Sequence, residues 1–170
     1  MVKSDRLLAV WPLCLERQQG TMTNDKVLIG AAGAYYVAFR LSTLGYAVGL
    51  TTHGTRAIDM LVANLDTGKS ITLQTKTMRR KAKRRAEGQW WWCFQVGASI
   101  LQRPAPEAVF YAFVDLKDDE SQTPDVFIVP FPKLASMLDK YKGGHTWCSI
   151  SEENAQKYQN KWDIITIALA

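Results

Sequence analysis

Three polar side chains lie in a segment whose pattern predicts a β-hairpin. Residues 57–77, AIDMLVANLDTGKSITLQTKT, place two alternating apolar runs around a turn rich in Asn, Asp and Gly. Asp59 lies in the first run, and Gln74 and Lys76 lie two apart in the second, so those two share a face of the strand, whereas Thr75 points to the other. An acid, an amide and an ammonium are costly on a half-buried sheet unless they pair or bind a ligand. The hairpin is therefore a candidate binding site.

A strongly basic run follows this strand directly. Residues 76–85, KTMRRKAKRR, hold seven bases and no acid, and residues 1–110 hold 15 Lys/Arg against 7 Asp/Glu within a chain of net charge +5. Such a run attracts polyanions and releases counterions when it binds them. The same composition is also typical of a solvated basic loop. The candidate nucleic-acid-binding residues are Arg79, Arg80, Lys81, Lys83, Arg84 and Arg85.

The order of predicted elements indicates the fold class. A helical apolar stripe runs to Leu44, with Thr23 or Asn24 as its N-cap and Gly45 at its end. One helix, three strands, the basic run, further strands and late helices predict a single α/β or α+β domain with a mixed sheet. After the hairpin we expect strands over 90–96, 109–116 and 125–131, helices over 133–141 and 151–161, and a last strand or apolar tail over 162–170.

Length and composition bound the class of protein. The 170 residues suit one domain, with residues 1–22 as a loosely packed N-terminal arm and 23–170 as the folded unit. No apolar run reaches the roughly 18 residues of a membrane helix, so we expect no membrane partner and a cytoplasmic location. The three cysteines form no CxxC pair, which argues against a zinc site or a disulfide framework.

The motifs resemble a known family. GAAGAYYVAFRLSTLGYAV, then AIDMLV, then LQTKT follow the order of the PD-(D/E)xK, or restriction endonuclease-like, nuclease superfamily. Small Holliday-junction-resolvase-like bacterial members are the most similar. The resemblance covers about residues 29–77 well and extends loosely to FIVPF. It implies a restriction endonuclease-like core, with a mixed β-sheet flanked by helices, and cleavage of DNA.

The resemblance also implies a role for each motif residue. Asp59 would bind a divalent metal, Mg²⁺ or Mn²⁺, together with Gln74, which stands where the family has Glu or Gln, and the backbone carbonyl of Thr75. Lys76 would orient or help to deprotonate the attacking water and stabilise charge on the phosphate. The reaction would be in-line hydrolysis of a phosphodiester. Resembling resolvases are commonly dimers, so the resemblance also points to a homodimer.

One family feature is missing, which leaves two functional hypotheses. The first helix of the family usually carries a Glu in a G-E-Y-like motif, and here that position is Ala34. The chain is therefore either a metal-dependent endonuclease, weakened at this position, or a degenerate nuclease fold that binds nucleic acid or serves as a non-catalytic subunit. Two interpretations without a catalytic role also remain open. In one, Asp59 is an ordinary acid paired with Arg56; in the other, Lys76 is simply the first base of the basic run.

Overall fold

The chain folds as a mixed α+β structure in which a mixed β-sheet is flanked by helices, so the predicted fold class is confirmed. It is known from a computed structural model. The prediction for residues 1–22 lies outside the described part of the chain. Of residues 82, 83, 90, 139 and 140 only the backbone is described, and the described residues are 25–51, 58–79, 82–83, 90–97, 108–140 and 146–170.

The first helix is α1 (Lys26–Thr43). Its N-cap is Asp25, whereas the pattern predicted Thr23 or Asn24. The Asp25 carboxylate accepts hydrogen bonds from the backbone N–H groups of the second and third helical residues, which have no partner within a helix. The helix ends at the predicted place, where Gly45 takes a φ of 90°. Neither α1 nor any other helix in the described part is long and apolar enough to cross a membrane.

The larger sheet has β3 at its centre. Among the described residues it has five strands in the order β1-β2-β3-β6-β7, and only the β3–β6 pair is parallel. β2 and β3 form the predicted hairpin, in which Met60 lies opposite Leu73. The strands are β1 (Ala47–Leu50), β2 (Met60–Ala63), β3 (Ser70–Met78), β6 (Val109–Asp115) and β7 (Asp125–Pro130).

A second, antiparallel sheet has four strands within the described ranges, in the order β4-β5-β9-β8. Only β5 was predicted. The prediction of a helix over 133–141 is wrong beyond residue 137. A short helix and a 3-10 turn end there, and an edge strand of this sheet follows. The elements are β4 (Ala82–Lys83), β5 (Trp90–Val96), α2 (Phe131–Leu134), the 3-10 turn (Ala135–Met137), β8 (Leu138–Lys140), β9 (Thr146–Ser151) and α3 (Glu152–Tyr158).

Strands β6 and β7 of the larger sheet are buried on both faces, which explains their long apolar runs. On one face α1 packs Val37 against a cluster that includes Leu73. On the other face the second sheet packs Phe94 against Phe113, with ring centroids 4.9 Å apart. Strands covered on both faces carry nearly continuous apolar runs, as VFYAFVD does in β6.

The closing apolar segment is a helix, so the predicted last strand or tail is wrong. α4 (Asp163–Leu169) buries Ile165 and Leu169, one turn apart, on the same face of the large sheet as α1. The carbonyl of Leu169 accepts hydrogen bonds from Asn64 Nδ2 at 3.1 Å and Thr67 Oγ1 at 2.8 Å. These two residues lie in the β2–β3 turn, so α4 holds the hairpin from its closed end.

Gly33 lets α1 lie close to β3. A Cβ atom added at Gly33 would lie 2.0 Å from Thr77 Oγ1 and 2.9 Å from Thr77 Cβ. The second distance matters more, because rotation of the Thr77 side chain cannot move its Cβ atom. The depth at which α1 packs on the sheet is therefore set by this glycine.

We expect Gly33→Ala to lower the free energy of unfolding by about 1–3 kcal/mol, because the new methyl group overpacks the helix–strand contact. Gly30→Ala is the matched control in the same helix: a Cβ atom there meets nothing within 4 Å. It should leave stability unchanged or raise it by up to about 1 kcal/mol through helix propensity. Urea unfolding measures both, and equal stability of the two variants would contradict the close-contact explanation. Adding Thr77→Ala to Gly33→Ala should recover part of the loss.

Candidate active site

The hairpin brings Asp59 against the centre of β3. Asp59 lies in a bend directly before β2, and its backbone N–H donates to the carbonyl of Leu73 at 2.9 Å. Its backbone carbonyl accepts from the N–H of Thr51 in the chain that follows β1, at 3.0 Å. The Asp59 main chain is therefore held from both sides, at the point where β2 begins.

The carboxylate of Asp59 continues the pairing where the β2 backbone stops. Asp59 Oδ2 accepts hydrogen bonds from the backbone N–H of Thr75 at 2.6 Å and from Thr75 Oγ1 at 2.8 Å. A buried strand N–H needs an acceptor, and here a side chain supplies it in place of a neighbouring backbone carbonyl. Among the described residues, Asp59 Oδ1 accepts no hydrogen bond and is left for another partner.

Gln74 and Lys76 flank Thr75 on β3 and lie on the opposite face from α1. Their partners across the β3–β6 ladder are Tyr111 and Phe113, whose side chains face the second sheet. Both polar side chains are partly buried, and neither forms a hydrogen bond or ion pair with any residue that the structure describes. Lys76 therefore has no anionic partner among the described residues, and its role in contacting a phosphate stays a prediction.

Sequence reasoning identified Thr75 only through its carbonyl and missed its hydroxyl. The hydroxyl was expected to point away from the site, and strand alternation alone could not reveal that Asp59 turns to meet it. The N–H and C=O of a strand residue point to the same side, so the Thr75 carbonyl points toward Asp59 as well. Whether that carbonyl binds a metal stays a prediction.

The oxygen donors at this place form a small but suitable set for Mg²⁺. Asp59 Oδ1 is available, and the amide of Gln74 is unpaired within the described residues. Mg²⁺ is commonly held by one or two carboxylates, with waters and substrate phosphates completing its shell. The described residues hold no group of three or more His, Cys, Asp or Glu side chains that could form a richer site. Ala34, in place of the family's Glu, is partly buried and packs against the core under α1.

The basic run joins the two sheets. Arg79 directly follows β3 and is partly buried, while Lys83 belongs to β4 and lies opposite Trp90 of β5. The run thus leaves the candidate site and enters the second sheet. The remaining predicted nucleic-acid-binding residues, Arg80, Lys81, Arg84 and Arg85, lie outside the described residues.

A second charged cluster lies at the carboxyl end of β6, and no local pattern in the sequence predicted it. Asp115, only 1% exposed, accepts a hydrogen bond from Trp92 Nε1 at 3.0 Å and from Lys117 Nζ at 3.1 Å. Lys117 also pairs with Asp125 on β7, and it adopts a φ of 65° to reach both acids. Trp92 is 3% exposed, so its ring packs in the core and is not available to stack on a nucleic-acid base.

This cluster shifts two pKa values in opposite directions. Burial alone would raise the pKa of Asp125, but hydrogen bonds from Lys117, Gln159 and Asn160 outweigh it and hold that pKa below its ordinary value. Burial likewise opposes the charged form of Lys117, yet its hydrogen bonds to Asp125 and Asp115 raise its pKa. The ion pair therefore stabilises the fold between the acid and alkaline extremes, and loses that effect outside them.

Comparisons with known proteins support the fold alone. No protein-family model and no curated protein sequence matches the chain. Among solved structures, the chain is similar to a bacterial homing endonuclease, I-Ssp6803I, with a TM-score of 0.52 at 13% sequence identity. The similarity covers 84% of this chain and 92% of that one, so nearly the whole of that architecture has a counterpart here.

We expect Asp125→Asn to lower the free energy of unfolding at neutral pH by about 1–3 kcal/mol, because a charged hydrogen-bond network loses its anion. The folded pKa of Asp125 lies below its unfolded value of about 3.9, so the wild-type advantage is complete above that pH and disappears as the pH falls. Urea unfolding across the acid range measures this. Asp66→Asn, an exposed acid of the β2–β3 turn, is the control; a deficit in Asp125→Asn that persists undiminished in acid would refute the ion-pair account.

Proposed function

We propose that this chain is a metal-dependent nuclease of the PD-(D/E)xK type that hydrolyses phosphodiester bonds in DNA. The observation that supports the proposal is the anchoring of the Asp59 carboxylate on Thr75, the residue that lies between Gln74 and Lys76 in the sequence of β3. The carboxylate of the motif is thereby held against the strand that carries its amide and its lysine, 16 residues further along the chain. The similarity to a homing endonuclease fold is consistent with it.

Each residue of the proposed site has a role that follows from its chemistry. Asp59 Oδ1, the Gln74 amide oxygen and the Thr75 carbonyl would hold the divalent ion, which when bound neutralises charge on the phosphate and lowers the pKa of water. Lys76 supplies a compact positive charge to the phosphate oxygens and a donor that orients the attacking water. Because Lys76 has no anionic partner among the described residues, no ion pair there has to break before it contacts a phosphate.

The DNA backbone would be bound by the basic run that leaves β3. Seven bases in ten residues, with no acid among them, attract a polyanion strongly. Since the run starts at Lys76 itself, phosphates bound along it would be delivered to the candidate site. DNA is therefore the proposed partner.

A second candidate function is binding without cleavage. Its specific observation is the single carboxylate: Ala34 supplies none, Gln74 is neutral, and no cluster of metal-binding side chains occurs in the part of the chain that the structure covers. One carboxylate and one amide hold Mg²⁺ weakly unless a phosphate completes the shell. The chain would then bind nucleic acid, or act as a non-catalytic subunit of a larger assembly.

We expect the purified chain to cleave plasmid or branched DNA with Mg²⁺ or Mn²⁺, and Asp59→Asn and Lys76→Met to slow cleavage at least about 100-fold. Asp66→Asn and Lys161→Met remove one charge of the same sign from exposed positions and should leave the rate unchanged. A gel assay with equal amounts of folded protein measures the rates. Wild-type protein that binds DNA but cuts none of these substrates with either metal would replace the nuclease proposal with the binding function.

We expect DNA binding to weaken steeply with salt, and Arg84→Gln with Arg85→Gln to reduce the slope of log K against log salt by about 2, one unit for each lost phosphate contact. The matched control replaces two exposed lysines of the C-terminal part, Lys133 and Lys161, with Gln. Fluorescence anisotropy with a labelled duplex gives both slopes. Equal changes in the two double variants would show that net charge, and not the basic run, attracts the DNA.

A further inference from the structure

We propose that Thr75 is a positioning residue whose side-chain hydroxyl orients Asp59 for its metal, so that Oδ1 alone is presented to the ion. This inference rests on the proposed nuclease function. It goes beyond the motif, in which the middle residue of Gln-Thr-Lys contributes only its backbone.

The geometry begins with two donors on a single oxygen. Thr75 N–H and Thr75 Oγ1 both reach Asp59 Oδ2, at 2.6 and 2.8 Å, and none of the described residues donates to Oδ1. Two bonds to one oxygen restrict rotation of the carboxylate about its Cβ–Cγ bond, which a single bond would leave broad. Asp59 lies in a bend and not within a strand, so its backbone restrains the side chain less than a sheet position would.

Thr75 itself is held firmly. It lies at the centre of β3, opposite Ala112 in the parallel ladder with β6, and it is 8% exposed. Threonine is β-branched and stiff at χ1, so a hydroxyl at this position has few alternative directions. A buried residue of a strand that is paired on both edges thus orients the carboxylate through its hydroxyl.

The consequence is a carboxylate that binds in monodentate fashion. With Oδ2 occupied by two donors, chelation of an ion through both oxygens would require breaking those bonds. Ca²⁺ accepts bidentate carboxylates in a flexible shell, whereas Mg²⁺ requires a near-ideal octahedron and keeps several waters. The Thr75 hydroxyl therefore favours Mg²⁺ and Mn²⁺ over Ca²⁺ at Asp59.

A purely structural role for Thr75 makes a different prediction. If the hydroxyl only satisfies a buried polar group at the end of the β2–β3 pairing, its removal would change stability and leave ion binding unaltered. Thr75→Val removes the hydroxyl at nearly constant shape, and Thr75→Ser retains it without the methyl group. The two variants therefore separate the chemistry of the hydroxyl from the packing of the side chain.

The test is titration calorimetry of the full chain with Mn²⁺, and separately with Ca²⁺, without DNA. We expect Thr75→Val to bind Mn²⁺ about tenfold more weakly than wild type, as loss of a group that orients a metal ligand usually does. Its ratio of Ca²⁺ to Mn²⁺ affinity should rise, and Thr75→Ser should behave as wild type. Thr72→Val, a partly buried threonine of the same strand, is the matched control and should bind as wild type does.

Each outcome decides one point. Mn²⁺ binding that is lost in Asp59→Asn but unchanged in Thr75→Val would overturn the role of Thr75 and leave the nuclease proposal standing. Equal weakening in Thr75→Ser would assign the effect to packing and overturn the role as well. Wild-type protein that binds no Mn²⁺ without DNA would overturn the role of Thr75 in presenting a site to the ion, whereas the nuclease proposal is decided separately by the cleavage assay. If Thr75→Val fails to fold, as unfolding curves would reveal, Thr75→Ala against Thr75→Ser makes the same comparison.

Discussion

β3 lies between an antiparallel neighbour on one side and a parallel one on the other, and it is covered on both faces. Every functional argument about this protein depends on that position. β3 is paired along both edges, and the early end of β2 leaves the N–H of Thr75 facing a side chain in place of a backbone carbonyl. The Asp59 carboxylate fills that gap, so an unpaired position of the sheet is also the place where a reactive acid is held. A site built on strands has the precision that a loop would lack.

Two partly buried lysines, Lys76 in β3 and Lys117 just after β6, differ in whether the described residues supply them with anionic partners. Lys117 lies between Asp115 and Asp125 and ties together the ends of β6 and β7, two neighbouring strands of the larger sheet. Its left-handed backbone costs of the order of 1 kcal/mol or more, which the network of charged hydrogen bonds offsets. Lys76 has no such compensation among the described residues.

The two sheets also explain why a basic run is located where it is. A chain leaving the end of β3 has to cross to the second sheet before it can return, and it does so through the run that contains Lys83 of β4. The charge of this crossing begins at Lys76, so the run that we propose to bind DNA starts within the strand of the candidate site. The apolar strand that follows is then free to pack, as Trp92 and Phe94 do against the larger sheet.

Local patterns predicted much of the fold, and they failed where long-range contacts decided. The hairpin, α1 and the apolar strands β5, β6 and β7 follow from periodicity and turn residues, and the structure agrees with them. The closing segment was wrong because an apolar run of nine residues suits a strand or a helix equally, and burial of Ile165 and Leu169 on one face selected the helix. Strand β9 was missed because it pairs with β5, which is distant in sequence, and β8 was missed because it forms the edge of the sheet beside β9.

The candidate site, like the fold, was predictable from the sequence only in part. By itself the sequence determined which residues are chemically capable: an acid, an amide and a lysine on one hairpin, and bases after it. Only the tertiary structure decided that Asp59 turns its carboxylate onto Thr75, that Lys76 lacks an anionic partner among the described residues, and that Lys117 has two. The physical reason is that residue type and spacing define what a side chain can donate or accept. The partners it meets depend on where β2 stops and which strands lie beside it, and those are properties of the whole sheet.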